Sequence, residues 1–203
     1  MLDSGLVSFV KRALPRPPAR VLEVGAGSGE LAAYLTDSGY DVVAIDPAGR
    51  SPHVQAVTLA DLEAPESSFD AAVAVLSLHH VEPLGRSCER LANVLRPGAV
   101  LVVDEFDLGV LDVEAVRWWL GQGPDVHQHA HDAEAIVADM RDHLHQLSDV
   151  RRALEPWFEL GDVERVPYLY RWALGPHVRP LEEQAISGGQ IAATGARVVG
   201  TRR

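Results

Sequence analysis

The sequence predicts an α/β fold: a mostly parallel sheet with helices on both faces. Short, near-continuous apolar runs recur through the first half of the chain, as strands buried on both faces require. Stretches with apolar residues at helical spacing separate them, and this alternation is the signature of strand–helix–strand construction. A third observation marks one strand end. "VLEVGAGSGE", residues 21–30, closes an apolar run with three glycines in five positions. Glycine there gives up packing and costs conformational entropy, so the turn needs a reason.

The elements follow in order. Leu2, Leu6, Phe9, Val10, Ala13 and Leu14 recur at helical spacing and make 2–14 an amphipathic helix, ended by "PRPP" at 15–18. "ARVLEV" (19–24) is the first strand. Residues 30–39 form a helix stopped by Gly39. "DVVAID" (41–46), "VQAVTLA" (54–60) and "FDAAVAVLSL" (69–78) are strands two to four. Residues 83–98 form a helix with Leu84, Cys88, Leu91 and Leu95 on one side, and "AVLVVDEF" (99–106) is the fifth strand. After Asp107 the alternation breaks. Residues 112–121 and 131–155 read as helices on either side of a Gly- and His-containing break. "VERVPYLYRWAL" (163–174) alternates Val166, Tyr168, Tyr170, Trp172 and Leu174 and reads as a strand, with Pro167 pointing to a sheet edge. Residues 181–190 read as a short helix and 196–203 as the last strand. No domain boundary is visible. A single domain over 1–203 is expected, with 1–18 as N-terminal helix and linker and 107–155 as a helical lid over one end of the sheet.

Composition narrows the partners. The 203 residues are 47% apolar, enough for a full core. No apolar run approaches the ~20 residues that cross a bilayer, and the first 20 residues lack a signal-peptide pattern. Cys88 is the one cysteine, which excludes an intrachain disulfide and points to a reducing, cytoplasmic setting. The formal net charge of −11 weighs against a nucleic-acid partner and favours a small-molecule substrate. No pattern encodes an oligomeric state.

The glycine spacing is Gly25-x-Gly27-x-Gly29. A dinucleotide fingerprint needs its third glycine at position 30, which is Glu30. A carboxylate there opposes a diphosphate at the helix N-terminus. Glu23, a charge inside "VLEV", is costly to bury without a partner, and a ligand bearing an ammonium group would supply one.

Taken together, "VLEVGAGSGELAAYL", "VVAIDP", "LADLEAP" and "FDAAVAVLSLHHV" followed by "RLANVLRPGAVLVVDEF" resemble the class I S-adenosylmethionine-dependent methyltransferases, small-molecule type. The resemblance implies a Rossmann-like, seven-stranded, mostly parallel sheet. Its last strand, 196–203, would run antiparallel between strands five and six, leaving 163–174 at the edge. It implies S-adenosylmethionine as cofactor. The turn Gly25, Ala26, Gly27 and Gly29 would approach the methionine part, with Glu23 beneath. Asp46, beside Pro47, would take the two ribose hydroxyls, Asp61 the adenine amino group, and the Leu62 backbone the ring. Ser77 and Leu78 would line the sulfonium end.

Methyl transfer needs alignment of a nucleophile and exclusion of water, and an oxygen or nitrogen acceptor gains from a general base. His79 and His80 after strand four, and Asp104 and Glu105 at the end of strand five, are the candidates. They stand where open α/β sheets bind ligands. A structural histidine is the competing reading. "HQHAHD" (127–132) adds His127, His129 and His131, with His143 and His145 beyond. As a solvated lid face these do nothing; as lid residues one (His127) would act as base or touch the acceptor; as ligands His127 and His131 stand at i, i+4, but no cysteine is near and H-E-x-x-H is absent, so no metal is expected. Trp118, Trp119, Tyr168, Tyr170 and Trp172 read as core or as an acceptor pocket. Two other functions fit less of the chain: a non-catalytic or regulatory protein keeping the cofactor fold, and an NAD(P)-dependent oxidoreductase, which Glu30 disfavours.

Overall fold

The computed structural model describes residues 2–49, 51–123 and 132–203. Its sheet has the order β3-β2-β1-β4-β5-β8-β6, with β7 also pairing β8. Strands β1 (Arg20–Val24), β2 (Asp41–Ile45), β3 (Val54–Gln55), β4 (Phe69–Val75) and β5 (Leu95–Phe106) are parallel. The last strand, β8 (Gly195–Arg202), runs antiparallel to β5 and lies between it and the edge.

The strands are apolar on both sides because both sides are covered. Leu22, Val24, Ala72, Ala74, Leu101 and Val103 point to one face, packed with Cys88 and Leu91 of α3 (Leu84–Val94) and with Val150 and Leu154 of α6 (Leu147–Leu154). Their alternates Val21, Ala71, Val73 and Val102 meet Leu6, Phe9 and Val10 of α1 (Ser4–Ala13) and Leu31 and Leu35 of α2 (Glu30–Asp37). Asp3 caps α1 by accepting the Leu6 N–H at 2.7 Å. A third cluster joins Phe106 to α4 (Val113–Gly121), α5 (Ala133–His143) and α7 (Arg179–Ser187), with Trp119 stacked on Trp172. Among the described residues no helix is long and apolar enough to cross a membrane.

Four expectations change. The third strand is only Val54–Gln55, and the chain then turns through a 3-10 helix, Leu59–Asp61. The helix expected over 131–155 breaks at 144–146, where the His145 N–H donates to the His79 carbonyl at 2.9 Å. Its second half, α6, covers the sheet beside α3, so the segment expected as a lid divides: α4 and α5 pack on the third cluster and α6 does not. The edge strand is not 163–174. It consists of β6 (Phe158–Leu160) and β7 (Glu164–Val166), consecutive along β8 and separated by a one-residue slip in register, so the sheet counts eight strands instead of seven.

The reason lies in Pro167 and Glu182. Pro167 has no N–H for a ladder. The next three N–H groups, of Tyr168, Leu169 and Tyr170, all donate to the buried Glu182 carboxylate, at 2.7–2.9 Å. Leu169–Arg171 is therefore a 3-10 turn. Tyr168 and Trp172 join the third cluster, and the Tyr170 hydroxyl donates to Asp3 at 2.8 Å.

Candidate functional site

The site begins where β1 ends. Gly25 and Ala26 donate to the Ile45 carbonyl at 2.9 and 3.0 Å, which locks the turn against the end of β2. Gly27 donates to Asp46 Oδ2 at 3.0 Å, and Ala48 donates to Asp46 Oδ1 at 2.8 Å. Each carboxylate oxygen can accept twice, so Asp46 keeps unused acceptor sites. Gly25 has φ +71°, and a Cβ there would stand 2.2 Å from that of Ser77. Only a residue without a side chain lets the ends of β1 and β4 come so close.

Two cavities meet at Gly25. The first, about 420 Å³, is lined by Asp46, Pro47, Ser77 and His80, with an apolar end of Ile45, Val57, Leu59 and Val81. The second, about 630 Å³, lies on the α1 side. It is lined by Glu23 and the turn below, and by Asp3, Leu6, Tyr170, Arg171 and Arg179 above.

Glu23 is 4% exposed and its Oε2 has no hydrogen-bond partner. Burial pushes its pKa up to about 8, against a smaller opposing backbone hydrogen bond at Ala32. A carboxyl raised in the folded state is neutral in the fold and charged in the unfolded chain between pH 4.5 and about 8. Stability is therefore lost as pH rises through that window. Glu23→Gln removes the titration, so it should stabilise the free protein on the order of a few kcal/mol more at pH 8 than at pH 5. Urea unfolding at the two pH values measures this, and an equal effect at both would count against the raised carboxyl.

The candidate bases fare differently. Glu105 is buried. Its Oε1 accepts from the backbone N–H groups of Ser77 (2.8 Å) and Leu78 (2.6 Å), and its Oε2 contacts His79 Nδ1 at 2.5 Å. These contacts make it a bracket for the loop after β4, and its carboxylate oxygens are engaged there. Asp104 is likewise spent, on Arg171 and Arg197. His79 is buried against Glu105, lining neither cavity. His80 is exposed and lines the first cavity, and its pKa is lowered, by burial first and by His79 second, which keeps its ring neutral near pH 7.

Other expected site residues divide. Gly25, Asp46, Pro47 and Ser77 line the first cavity; Glu23, Gly25, Ala26 and Gly27 line the second. Gly29, φ +81°, caps α2 and lines neither of these two. The Leu78 side chain is fully buried in the core and lines neither cavity. Asp61 and Leu62 stand outside the cavity lining as well. The Asp61 carboxylate accepts from the Thr58 hydroxyl at 2.8 Å and lies 3.6 Å from Arg86, while Leu62 packs in the core and its carbonyl accepts from Arg90. His127, His129 and His131 lie outside the described residues. His145 contacts Glu82 at 2.9 Å and His143 is exposed beside Asp139. Among the described residues no group of three or more His, Cys, Asp or Glu is placed to hold a metal.

Sequence reasoning missed the apolar end of the first cavity, Val57 and Leu59, although both stand within a few positions of the acidic loop that drew attention. It also missed Arg171, because a strand reading of 163–174 sends that segment elsewhere, and Arg179, which stands at the start of α7.

A family model for the methyltransferase domain matches residues 2–146. Similar curated proteins include an uncharacterized methyltransferase of Mycobacterium tuberculosis, 37% identical over 98 residues, covering 43% of this chain and 40% of that protein. The ubiquinone biosynthesis O-methyltransferase of Rhodopseudomonas palustris is 26% identical over 147 residues, 62% of this chain and 56% of that protein. The chain spans about half the length of these curated relatives. Among solved structures, an S-adenosylmethionine-dependent methyltransferase from Mesorhizobium loti aligns with a TM-score of 0.64 at 18% identity, covering 96% of this chain and 95% of that one; the likeness is one of fold.

Proposed function

We propose, from the premise that this chain belongs to the methyltransferase-domain family, that it transfers a methyl group from S-adenosylmethionine to an oxygen or nitrogen of a small molecule. The residues fit that cofactor. The side-chain-free turn at Gly25 leaves room for close approach, Glu23 Oε2 is a buried acceptor without a partner, and Asp46 carries spare acceptor sites at the rim of the first cavity. When bound, the cofactor supplies a methyl group already activated on a sulfonium. The chain's own work is to bind, align and keep water out. Asp46 holds the ribose hydroxyls, and Ile45, Val57, Leu59 and Val81 give the adenine ring an apolar slot. The Gly25–Gly27 turn and Ser77 position the methionine part. His80, neutral and exposed on the cavity wall, is the described residue best placed to take a proton from the acceptor. Helices α4 and α5 cap the sheet beside this end and shape the acceptor's surroundings. The net charge of −11 and the O-methyltransferase named among the relatives support a small-molecule acceptor. The lone thiol, Cys88, is buried and pushed up to about 12, so it takes no part; it suits a reducing, cytoplasmic setting.

Asp46 is the observation that carries this reading, since its carboxylate is fixed by two backbone N–H groups yet retains acceptor sites beside the glycine turn. Calorimetric titration with S-adenosylhomocysteine and with NAD tests it. The first should bind and the second should not. Asp46→Ala should weaken the first about tenfold or more, since each hydrogen bond to a charged group contributes ~1.5–3 kcal/mol. Unchanged affinity in a folded Asp46→Ala variant would sink the placement. A metabolite screen with labelled cofactor, read as a gain of ~14 Da for methyl replacing hydrogen, then identifies the acceptor.

A further inference from the structure

The turn on which His80 stands is held at both ends by residues distant in sequence. Glu105 fixes its start, through the N–H groups of Ser77 and Leu78 and through the His79 ring. Its end is held from the joint between α5 and α6. There the backbone is extended at Leu144 and Gln146, with φ −125° and −71°, which passes His145 along the loop after β4. The His145 N–H donates to the His79 carbonyl at 2.9 Å, and its Nε2 lies 3.2 Å from the Val81 carbonyl and 2.9 Å from Glu82 Oε1. A carbonyl and a carboxylate only accept, so Nε2 carries the ring proton. His145 therefore takes the carbonyls on both sides of His80. Its neighbours are anchored too: Leu144 packs in the third cluster, as does Leu76, and Leu147 is buried. Leu76, Ser77, His80, Val81 and Glu82 together line the first cavity.

We propose that His145 is a positioning residue for methyl transfer, holding His80 and Val81 at the cavity wall. The inference rests on the reading above, in which His80 takes the acceptor's proton. His145 lines neither of the two cavities, so it acts only through the turn. That turn is a single 3-10 stretch, Leu78–His80, whose hydrogen-bond geometry is poor by nature. Its own closing bonds are long: the His80 N–H reaches the Ser77 carbonyl at 3.1 Å and the Val81 N–H reaches the Leu78 carbonyl at 3.2 Å. A turn with so little internal support opens locally unless something outside holds it. A general base works only within hydrogen-bond reach of the proton it takes, and a small displacement costs rate. The Glu82 pair is the lesser part of the clasp, since Glu82 is exposed and such pairs contribute little. The two carbonyl bonds hold the turn, and of these only the bond to Val81 needs the ring.

The test reads amide hydrogen exchange in the full chain, and turnover with an acceptor from the screen above. His145→Ala keeps the backbone bond to His79 and loses the ring. The His80 and Val81 amides should then exchange about tenfold or more faster than in wild type, while those of β4 and α3 stay within about threefold. The value of kcat should fall about tenfold or more with the acceptor KM within about threefold, the mark of a displaced base and not of lost binding. His145→Gln brings an amide N–H close to the place of the ring Nε2–H, and should return both readouts to within about threefold of wild type. Unchanged exchange at His80 and Val81 in His145→Ala overturns the proposal before any acceptor is known. So does faster exchange throughout the chain, for then His145 only stabilises the fold. A Gln variant as impaired as the Ala variant overturns it as well. Local opening with full turnover also does so, and His80→Gln shows how far that failure reaches. If His80→Gln loses turnover, the role of His145 falls alone. If His80→Gln keeps full turnover, the assignment of His80 as base falls with it.

Discussion

Gly25→Ala is expected to weaken S-adenosylhomocysteine binding by about 10²-fold or more, which is ~2.7 kcal/mol. Two costs combine. At φ +71° an L-residue pays ~1–2 kcal/mol for the left-handed conformation. The added Cβ would also lie 2.2 Å from the Ser77 Cβ and 3.5 Å from its Cα, so the β4 end must retreat. Ser77 has little freedom to do so, because its N–H is held by Glu105 and its side chain is buried. Both cavities share Gly25, so any retreat distorts both. Gly27→Ala is the control. Its φ is +55°, but nothing lies within 4 Å of the added Cβ, so only the conformational cost applies and affinity should fall about tenfold or less. Calorimetry on the two variants decides. Equal losses would mean that backbone strain, not the approach of β1 to β4, governs the site.

Some of this site can be read in the sequence because local pattern and tertiary role coincide there. The apolar runs of β1, β2, β4 and β5 are buried on both faces, so their composition alone identifies them. The turn 25–29 and Asp46 sit at the ends of adjacent parallel strands, where topology itself converges on one crevice. The antiparallel β8 beside β5 also follows from the resemblance.

What stays hidden depends on partners far away in sequence. The alternation in 163–174 is a valid strand signal, yet Glu182 claims the N–H groups that a strand would have used. Nothing local in "PYLYRW" announces a carboxylate 12 to 14 positions downstream. The real edge, Phe158–Leu160 with Glu164–Val166, is too short and too interrupted by Gly161 and Asp162 to register as periodic. Glu105 and Asp104 look alike in "VVDEF", two carboxylates at a strand end. They point to opposite faces, as neighbours on a strand must, and so acquire different partners: backbone and His79 for one, two arginines for the other. Reading either as a general base requires that it be free, which sequence cannot report.

Glu105→Ala is expected to lower stability on the order of 3–6 kcal/mol, a large share of the ~5–15 kcal/mol typical of a domain. The change orphans three donors in a buried place: the N–H groups of Ser77 and Leu78, and His79 Nδ1. Each unsatisfied buried group costs ~1–3 kcal/mol. The loop they hold is under tension, since Leu76 just before it has φ +50° and depends on its own N–H bond to the Asp104 carbonyl. In a chain of this length each kcal/mol moves the melting temperature by roughly 2–4 °C, so a fall of roughly 6–24 °C should be seen by calorimetry. Glu105→Gln separates a bracket from a base. The amide oxygen still accepts from Ser77 and Leu78, and its NH₂ can donate to His79 Nδ1 once that ring carries its proton on Nε2. The Gln variant should therefore recover most of the lost stability and keep turnover within about tenfold of wild type, whereas loss of a true general base costs ~10²–10⁴-fold. If Glu105→Ala melts like wild type, the bracket is refuted. If Glu105→Gln melts like wild type but loses turnover 10³-fold, Glu105 moves a proton after all, and His79 must be its relay to the crevice.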